Sequence, residues 1–295
     1  MKFTYTRINY RGEQSAEVTG TEERAAVLTV PGELGGFPVR SIGKGAFQDR
    51  ADIEEVTLPD SVRRIGGFAF YGCPRLARIS MTDGADDVGD GVIRSVKSLE
   101  VIRIAMRRGN YRVMRDLLAD TDRELRIHLT LEDGEAELFF PAYVNDFDED
   151  TMARAIHPRI EGCGYAFREA VSRSGVDYRN YDAQFPRTTA EGFRVAGEIA
   201  LSRLLFPYRL TDGARKAYEA ALLRYSGELL PYLAGAGRAA EIALMSGREL
   251  METEAAEKAL ERASAARQTE ICGLLMEYLR KKRGGGQAPR TAFSL

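Results

Sequence analysis

The sequence predicts an α+β fold in two parts, a short repeat solenoid followed by a mostly α-helical domain that carries a β-hairpin. The first part is predicted by a recurrence. Val39, Ile42, Gly43, Ala46, Phe47, Ile53, Val56 and Leu58 return in the same order 23 residues later as Val62, Ile65, Gly66, Ala69, Phe70, Leu76, Ile79 and Met81. A third copy, Val88, Gly89, Val92, Ile93, Val96, Leu99, Ile102 and Ile104, keeps the phase. Repeats of this length stack, because one rung cannot bury its own apolar face. The second part is predicted by a change of period after Ile104, from strand alternation to helical spacing.

The elements follow in chain order. Phe3-Thr4-Tyr5 and Ala16-Glu17-Val18-Thr19 read as a β-hairpin, and Val27-Leu28-Thr29-Val30-Pro31 mimics the strand-plus-proline of the repeat, as an upstream cap should. Within a repeat, Ile53-Glu54-Glu55-Val56-Thr57-Leu58-Pro59 alternates as a short strand and stops at proline. Val62-Arg63-Arg64-Ile65-Gly66 makes a second extended piece, with Gly66 at a corner that a larger residue would resist. Gly67-Phe68-Ala69-Phe70-Tyr71-Gly72-Cys73 carries the aromatics that plug the space between rungs.

These phrases resemble the BspA-type leucine-rich repeat. In that family a valine-x-x-isoleucine-glycine piece, an alanine-phenylalanine pair, a cysteine-x-x-leucine turn and a strand ending in leucine-proline recur. Here they are Val62 to Gly66, Ala69-Phe70, Cys73 to Leu76 and Leu58-Pro59, within a match over roughly residues 27–106. The third copy departs from the pattern, with Val92-Ile93 for alanine-phenylalanine, Val96 for cysteine and Asp83-Gly84-Ala85-Asp86-Asp87 for the proline turn, as a C-terminal cap would. The resemblance implies a short leucine-rich-repeat solenoid. Many members of the family are exported adhesins or surface binders, which makes an exported surface adhesin one implied function.

In the second part, Met106 to Leu118 spaces its apolar residues as a helix. Leu125-Arg126-Ile127-His128-Leu129-Thr130-Leu131 alternates, turns at Glu132-Asp133-Gly134 and returns through Ala136 to Phe140 as a β-hairpin. From about residue 150 the remainder is expected to be helical, with breaks near Gly175–Arg187 and at Pro207. Ala234, Ala236, Arg238, Glu241, Ile242 and Met245 map onto Ala263, Ala265, Arg267, Glu270, Ile271 and Leu274, which suggests either ankyrin-like helical pairs or a generic bundle. The expected divisions are a repeat domain at 1–106, a hairpin-plus-helical domain at 107–283 and a disordered tail at 284–295.

Composition bounds the function. The 295-residue chain is 44% apolar and 29% charged with a net charge of −2, so no global charge calls for nucleic acid or an acidic membrane. Its first residues lack the apolar run of a secretory signal, and no stretch is long and apolar enough to span a membrane. Cys73, Cys163 and Cys272 are odd in number and far apart, which disfavours a disulfide framework or a zinc site and fits a reducing, cytoplasmic address.

Outward positions of the repeat align into columns: Arg40, Arg63 and Asp86; Ser41, Arg64 and Asp87; Glu55, Arg78 and Val101; Thr57, Ser80 and Arg103. Arg40, Arg63, Arg64, Arg78 and Arg103 either form a basic strip for a protein partner with an acidic segment or are solvated surface residues. Exposed aromatics that would stack bases are not interleaved with them, so nucleic acid is not expected.

Catalytic constellations are absent from the sequence pattern. His128 and His157 have no metal-ligand spacing or nearby triad partner. Asp146, Asp148 and Asp150 imitate the opening of a calcium loop, but Thr151 and His157 stand where that loop needs glycine and glutamate, and helix N-capping by Asp148 or Asp150 is the simpler account. Cys163, between Gly162 and Gly164, lacks a local base and reads as a buried small residue. Neither a cofactor nor a metal is expected. The reading that results is a non-enzymatic protein–protein interaction adaptor or scaffold. An enzyme with its site in 107–210, using Asp146, Asp148 or His157, stands as an alternative beside the surface adhesin.

Overall fold

The computed structural model describes residues 1–150 and 155–284, the side chains of 146–159 excepted. Two compact units divide the chain, one from Met1 to Arg187 with Phe206–Arg209, the other from Thr188 to Leu205 and from Leu210 onward.

The first unit is built on two laddered sheets. Their strands are β1 (Phe3–Tyr10), β2 (Glu13–Thr21), β3 (Val27–Thr29), β4 (Glu33–Leu34), β5 (Phe37–Ile42), β6 (Glu55–Thr57), β7 (Arg64–Ile65), β8 (Arg78–Thr82), β9 (Asp87–Val88) and β10 (Val101–Ala105), divided so that each rung contributes one strand to each sheet. The first sheet runs β1-β2-β5-β7-β9, with β4 on β5. The second runs β3-β6-β8-β10 and then takes up β11 (Leu125–Leu131) and β12 (Gly134–Phe140). Alternation puts Leu28, Val56, Ile79 and Ile102 from the second sheet into the core, where Val39, Ile42 and Ile65 from the first sheet are also buried. Leu58, Met81 and Ile65 line one small internal space, so the two sheets share that core.

The repeat's third side is also a ladder. Phe47 N–H donates to the Ala69 carbonyl at 2.9 Å, and Phe70 N–H to Val92 at 3.0 Å, so the alanine-phenylalanine segments stack rung on rung. The corner glycines are required by close approach: a Cβ on Gly66 would meet Lys44 N at 2.5 Å, and one on Gly89 would meet Gly67 N at 2.3 Å. The third rung keeps register despite its altered sequence, with Ile65 opposite Val88 and Ile79 opposite Ile102. Asp83 replaces the proline turn with a buried carboxylate that accepts from the backbone N–H groups of Arg107 at 2.9 Å, Arg108 at 2.8 Å and Asn110 at 3.0 Å.

That carboxylate also delays the helix expected from Met106. Residues 106–111 are held extended or turned, with Gly109 at φ +65°, and α1 spans Arg112–Ala119. The predicted hairpin is present as β11 and β12, and β11 lies parallel to β10 in continuous register, Ile102 opposite Ile127. The hairpin therefore extends the solenoid ladder, and the division expected at residue 106 falls inside one sheet.

The chain from about residue 150 differs at first from the helical expectation. β13 (Val144–Asp150) and β14 (Ala155–Glu161) pair antiparallel, with Asp148 opposite His157, so Asp148 and Asp150 are strand residues and cap no helix. Then follow α2 (Gly164–Arg168), the small hairpin β15 (Val171–Ser172) and β16 (Gly175–Val176), and α3 (Tyr178–Ala183). Arg168 ties this region together: its buried guanidinium donates to the carbonyls of Pro141 at 2.6 Å, Gly164 at 3.0 Å and Arg123 at 2.5 Å. Burial pushes it down to about 10.

The second unit is helical: α4 (Phe193–Leu205), α5 (Asp212–Arg224), α6 (Ser226–Gly235), α7 (Ala239–Gly247), α8 (Thr253–Ala265) and α9 (Thr269–Gly284). Successive pairs stack, α8 packing on α6 and α9 on α7. The turns correspond at 30 residues, one more than the sequence alignment suggests. Arg238 N–H donates to Leu233 O as Gln268 donates to Ala263 O, and Gly237 N–H to Ala234 O as Arg267 to Ser264 O. Alanine-rich helices admit either alignment; the hydrogen bonds admit one. The expected tail at 284–295 lies outside the described residues, apart from Gly284 at the end of α9.

Candidate protein-interaction surface

Strand alternation that buries one face of the second sheet leaves registered rows on the other, open on the repeat strands and buried where they end at Glu137 and Phe139. One row runs Val27, Glu55, Arg78, Val101, Arg126 and Phe139 across six strands. The next runs Thr29, Thr57, Ser80, Arg103, His128 and Glu137. Their middle is a hydroxyl-rich track leading to a cation. Thr29 and Thr57 are exposed, Ser80 is half-buried, and Arg103 is exposed with no carboxylate within 4 Å of it among the described residues. At the hairpin end the track closes on an ion pair and a histidine: Arg126 Nη1 lies 2.6 Å from Glu137 Oε1, and His128 Nδ1 lies 3.5 Å from Glu137. Phe206 meets His128 edge-on, with ring centroids 4.9 Å apart.

The columns expected from the period are present, since Ser41, Arg64 and Asp87 align on the first sheet and Thr57, Ser80 and Arg103 on the second. The five arginines do not form one strip. Arg40, Arg63 and Arg64 belong to the first sheet and its turns, whereas Arg78 and Arg103 belong to the second, because their phases within the repeat put them on different sides of the coil. Three of the five are matched by acids: Arg40 with Glu13 at 2.9 Å, Arg64 with Asp87 at 3.4 Å and Arg78 with Glu55. The hydrogen bond to Glu55 raises Arg78 above its ordinary value and lowers Glu55. Arg63 turns inward, donating from Nη1 to the carbonyls of Asp60 at 2.6 Å and Val62 at 2.8 Å. Burial and the nearby Arg108 and Arg40 lower it. Arg103 is thus the exposed arginine of the set with no carboxylate within 4 Å among the described residues.

The hairpin residues Arg126, His128 and Glu137 enter this face only because β11 joins β10. The alternation of 125–131 is legible, but nothing in it names its neighbour. Cys163 is buried beside α2, as expected for a small packed residue. The side chains of Asp146, Asp148, Asp150 and His157 lie outside the described residues. Among the described residues no group of three or more His, Cys, Asp or Glu is placed to hold a metal ion, and no helix is long and apolar enough to cross a membrane.

An open stack of rungs with a laddered outer face defines the repeat-solenoid class. Within it, residues 37–111 match the family model described as BspA type leucine rich repeat region, in six copies. No curated protein matches the chain. Among solved structures, a leucine rich cell surface protein from Faecalibacterium prausnitzii is 20% identical, with 45% of this chain and 42% of that one covered and a TM-score of 0.30. A leucine-rich repeat protein from Bacteroides capillosus is 23% identical, with 37% and 86% covered and a TM-score of 0.31. The leucine rich repeat protein of T. pallidum is 21% identical, with 34% and 68% covered and a TM-score of 0.26. The chain spans less than half the length of the first of these.

Proposed function

We propose that the protein is a non-enzymatic interaction adaptor of the cytoplasm, and that the outer face of its second sheet takes an extended protein segment bearing an acidic side chain. The observation that carries this reading is the registered row Thr29, Thr57, Ser80, Arg103. Neighbouring strands stand about 4.8 Å apart, so a segment laid across them meets a new rung roughly every one to two residues. Hydroxyls supply both donors and acceptors to its backbone, and Arg103 offers a planar, permanently charged fork to a carboxylate. Free thiols at Cys73 and Cys272 fit a reducing compartment.

The test is capture of partners from native lysate on wild-type protein, on Arg103→Glu and on Arg64→Glu. The reading expects a stoichiometric partner held by wild type and by Arg64→Glu, whose arginine is already matched by Asp87, and lost by folded Arg103→Glu. A partner retained equally by all three moves the binding face elsewhere.

A further inference from the structure

The outer face of the last helical pair is built differently from the pair beneath it. At the 30-residue correspondence, Leu230 and Ala234 of α6 are fully buried, while their counterparts Leu260 and Ser264 on α8 are partly open and exposed. On α9, Met276 is 54% exposed. Leu260, Met276 and Leu279 form the floor of an open groove of about 910 Å³, rimmed by Glu257 and Glu261 from α8 and by Arg280 and Arg283 from α9. Acids therefore stand on one helix and arginines on the other.

The levels of these charges follow from the hairpin. Arg283 lies 2.6 Å from Glu257. One turn further along α8 is Glu261, and one turn back along the antiparallel α9 is Arg280, so these two share the next level. Both are exposed, and neither has a partner within 4 Å among the described residues. A two-fold axis in the plane of the face, parallel to the helices, lays α8 of one copy over α9 of the other and keeps every level. It brings each Glu261 to the other copy's Arg280, twice, over a shared apolar floor. The other in-plane axis, across the helices, sets acid on acid. The charge pattern is self-complementary under one operator only.

We infer that this face is a symmetric interface between two copies of the chain, joined as an antiparallel four-helix layer. Helices of about 20 Å give a footprint of roughly 400 Å² per copy, half that of a standard interface, so the dimer is weak and reversible. The interface is built from residues of the second unit and the ladder face from residues of the first, and Arg103→Glu changes no residue of the interface.

Sedimentation equilibrium of the full chain between roughly 5 and 500 µM tests it, a range suited to a small interface. The expected result is a reversible monomer–dimer transition. Glu261→Arg and Arg280→Glu each abolish dimerisation, an equimolar mixture of these two variants restores it, and so does the double variant. Met276→Glu weakens it at least tenfold. Unchanged melting curves show that these exposed positions leave the fold intact. A chain that is monomeric throughout, or charge variants that associate like wild type, overturn the inference. So does a mixture that stays monomeric. If only a chain ending at Gly284 dimerises, the following residues cover the face and the inference is likewise overturned.

Discussion

Phe47 and Phe70 stack face to face, with ring centroids 5.6 Å apart and planes 7° from parallel. They are the same position of consecutive rungs, so the stack is the 23-residue period expressed as a contact. Both rings are buried. Phe70→Ala removes the larger share, because Phe70 also packs toward the third rung, where Ile93 offers no ring. We expect a loss of about 3–4 kcal/mol for Phe70→Ala, within the usual cost of emptying a phenylalanine site, measured by urea unfolding with unchanged m-value.

Gly66 and Gly273 should respond to alanine with opposite signs. At Gly66 the new Cβ meets the backbone of Lys44, which cannot swing aside, and we expect a loss of more than about 2 kcal/mol. Gly273 is exposed within α9 with nothing near its Cβ, so alanine there adds about 0.5–1 kcal/mol through helix propensity alone. Thermal melts of the two variants decide whether rung spacing or chain entropy governs these sites.

Arg267 holds a left-handed conformation at φ +55°, where the corresponding turn uses Gly237 at φ +72°. Both close a helix with the same pair of backbone hydrogen bonds. Arg267→Gly relieves the Cβ clash of that conformation and should stabilise the second unit by about 0.5–1 kcal/mol. A lower melting temperature would show that the arginine side chain contributes more than its strained backbone costs.

Asp60 links the turn of the second rung to Arg108, with Oδ1 2.9 Å from Nη1. That hydrogen bond lowers the carboxyl from an ordinary 3.8 to about 2. A depressed carboxylate favours the folded state above its ordinary value, and the contribution fades as pH falls from about 4 toward 2. With 39% of the side chain exposed, solvent screens the pair, and the contribution is smaller than the shift alone implies. Carbon-detected titration should place Asp60 near 2 in wild type and return it toward the ordinary range in Arg108→Gln.

Much of this was legible in the chain. The rungs, the corner glycines, the aromatic plug, the upstream cap and the hairpin at 125–140 follow from period and alternation, because a stacked repeat must present the same residue to the same neighbour each time. The helix expected from Met106 and the one expected after residue 150 were not, since both depended on partners distant in sequence. Asp83 captures the backbone of 107–110, and 155–161 pairs with 144–150.

The sequence by itself determined which residues share a column: Ser41 with Arg64, and Ser80 with Arg103. Only the tertiary structure decided which columns share a face. Each rung passes through two sheets, so arginines that are neighbours in a list of outward positions, Arg64 and Arg78, stand on different sides of the coil. It also decided that β11 lies against β10 and lengthens the ladder face. A period fixes translation along a stack; the turn of the chain within each rung, and the strand that closes the stack, are set by backbone pairing that no local pattern encodes.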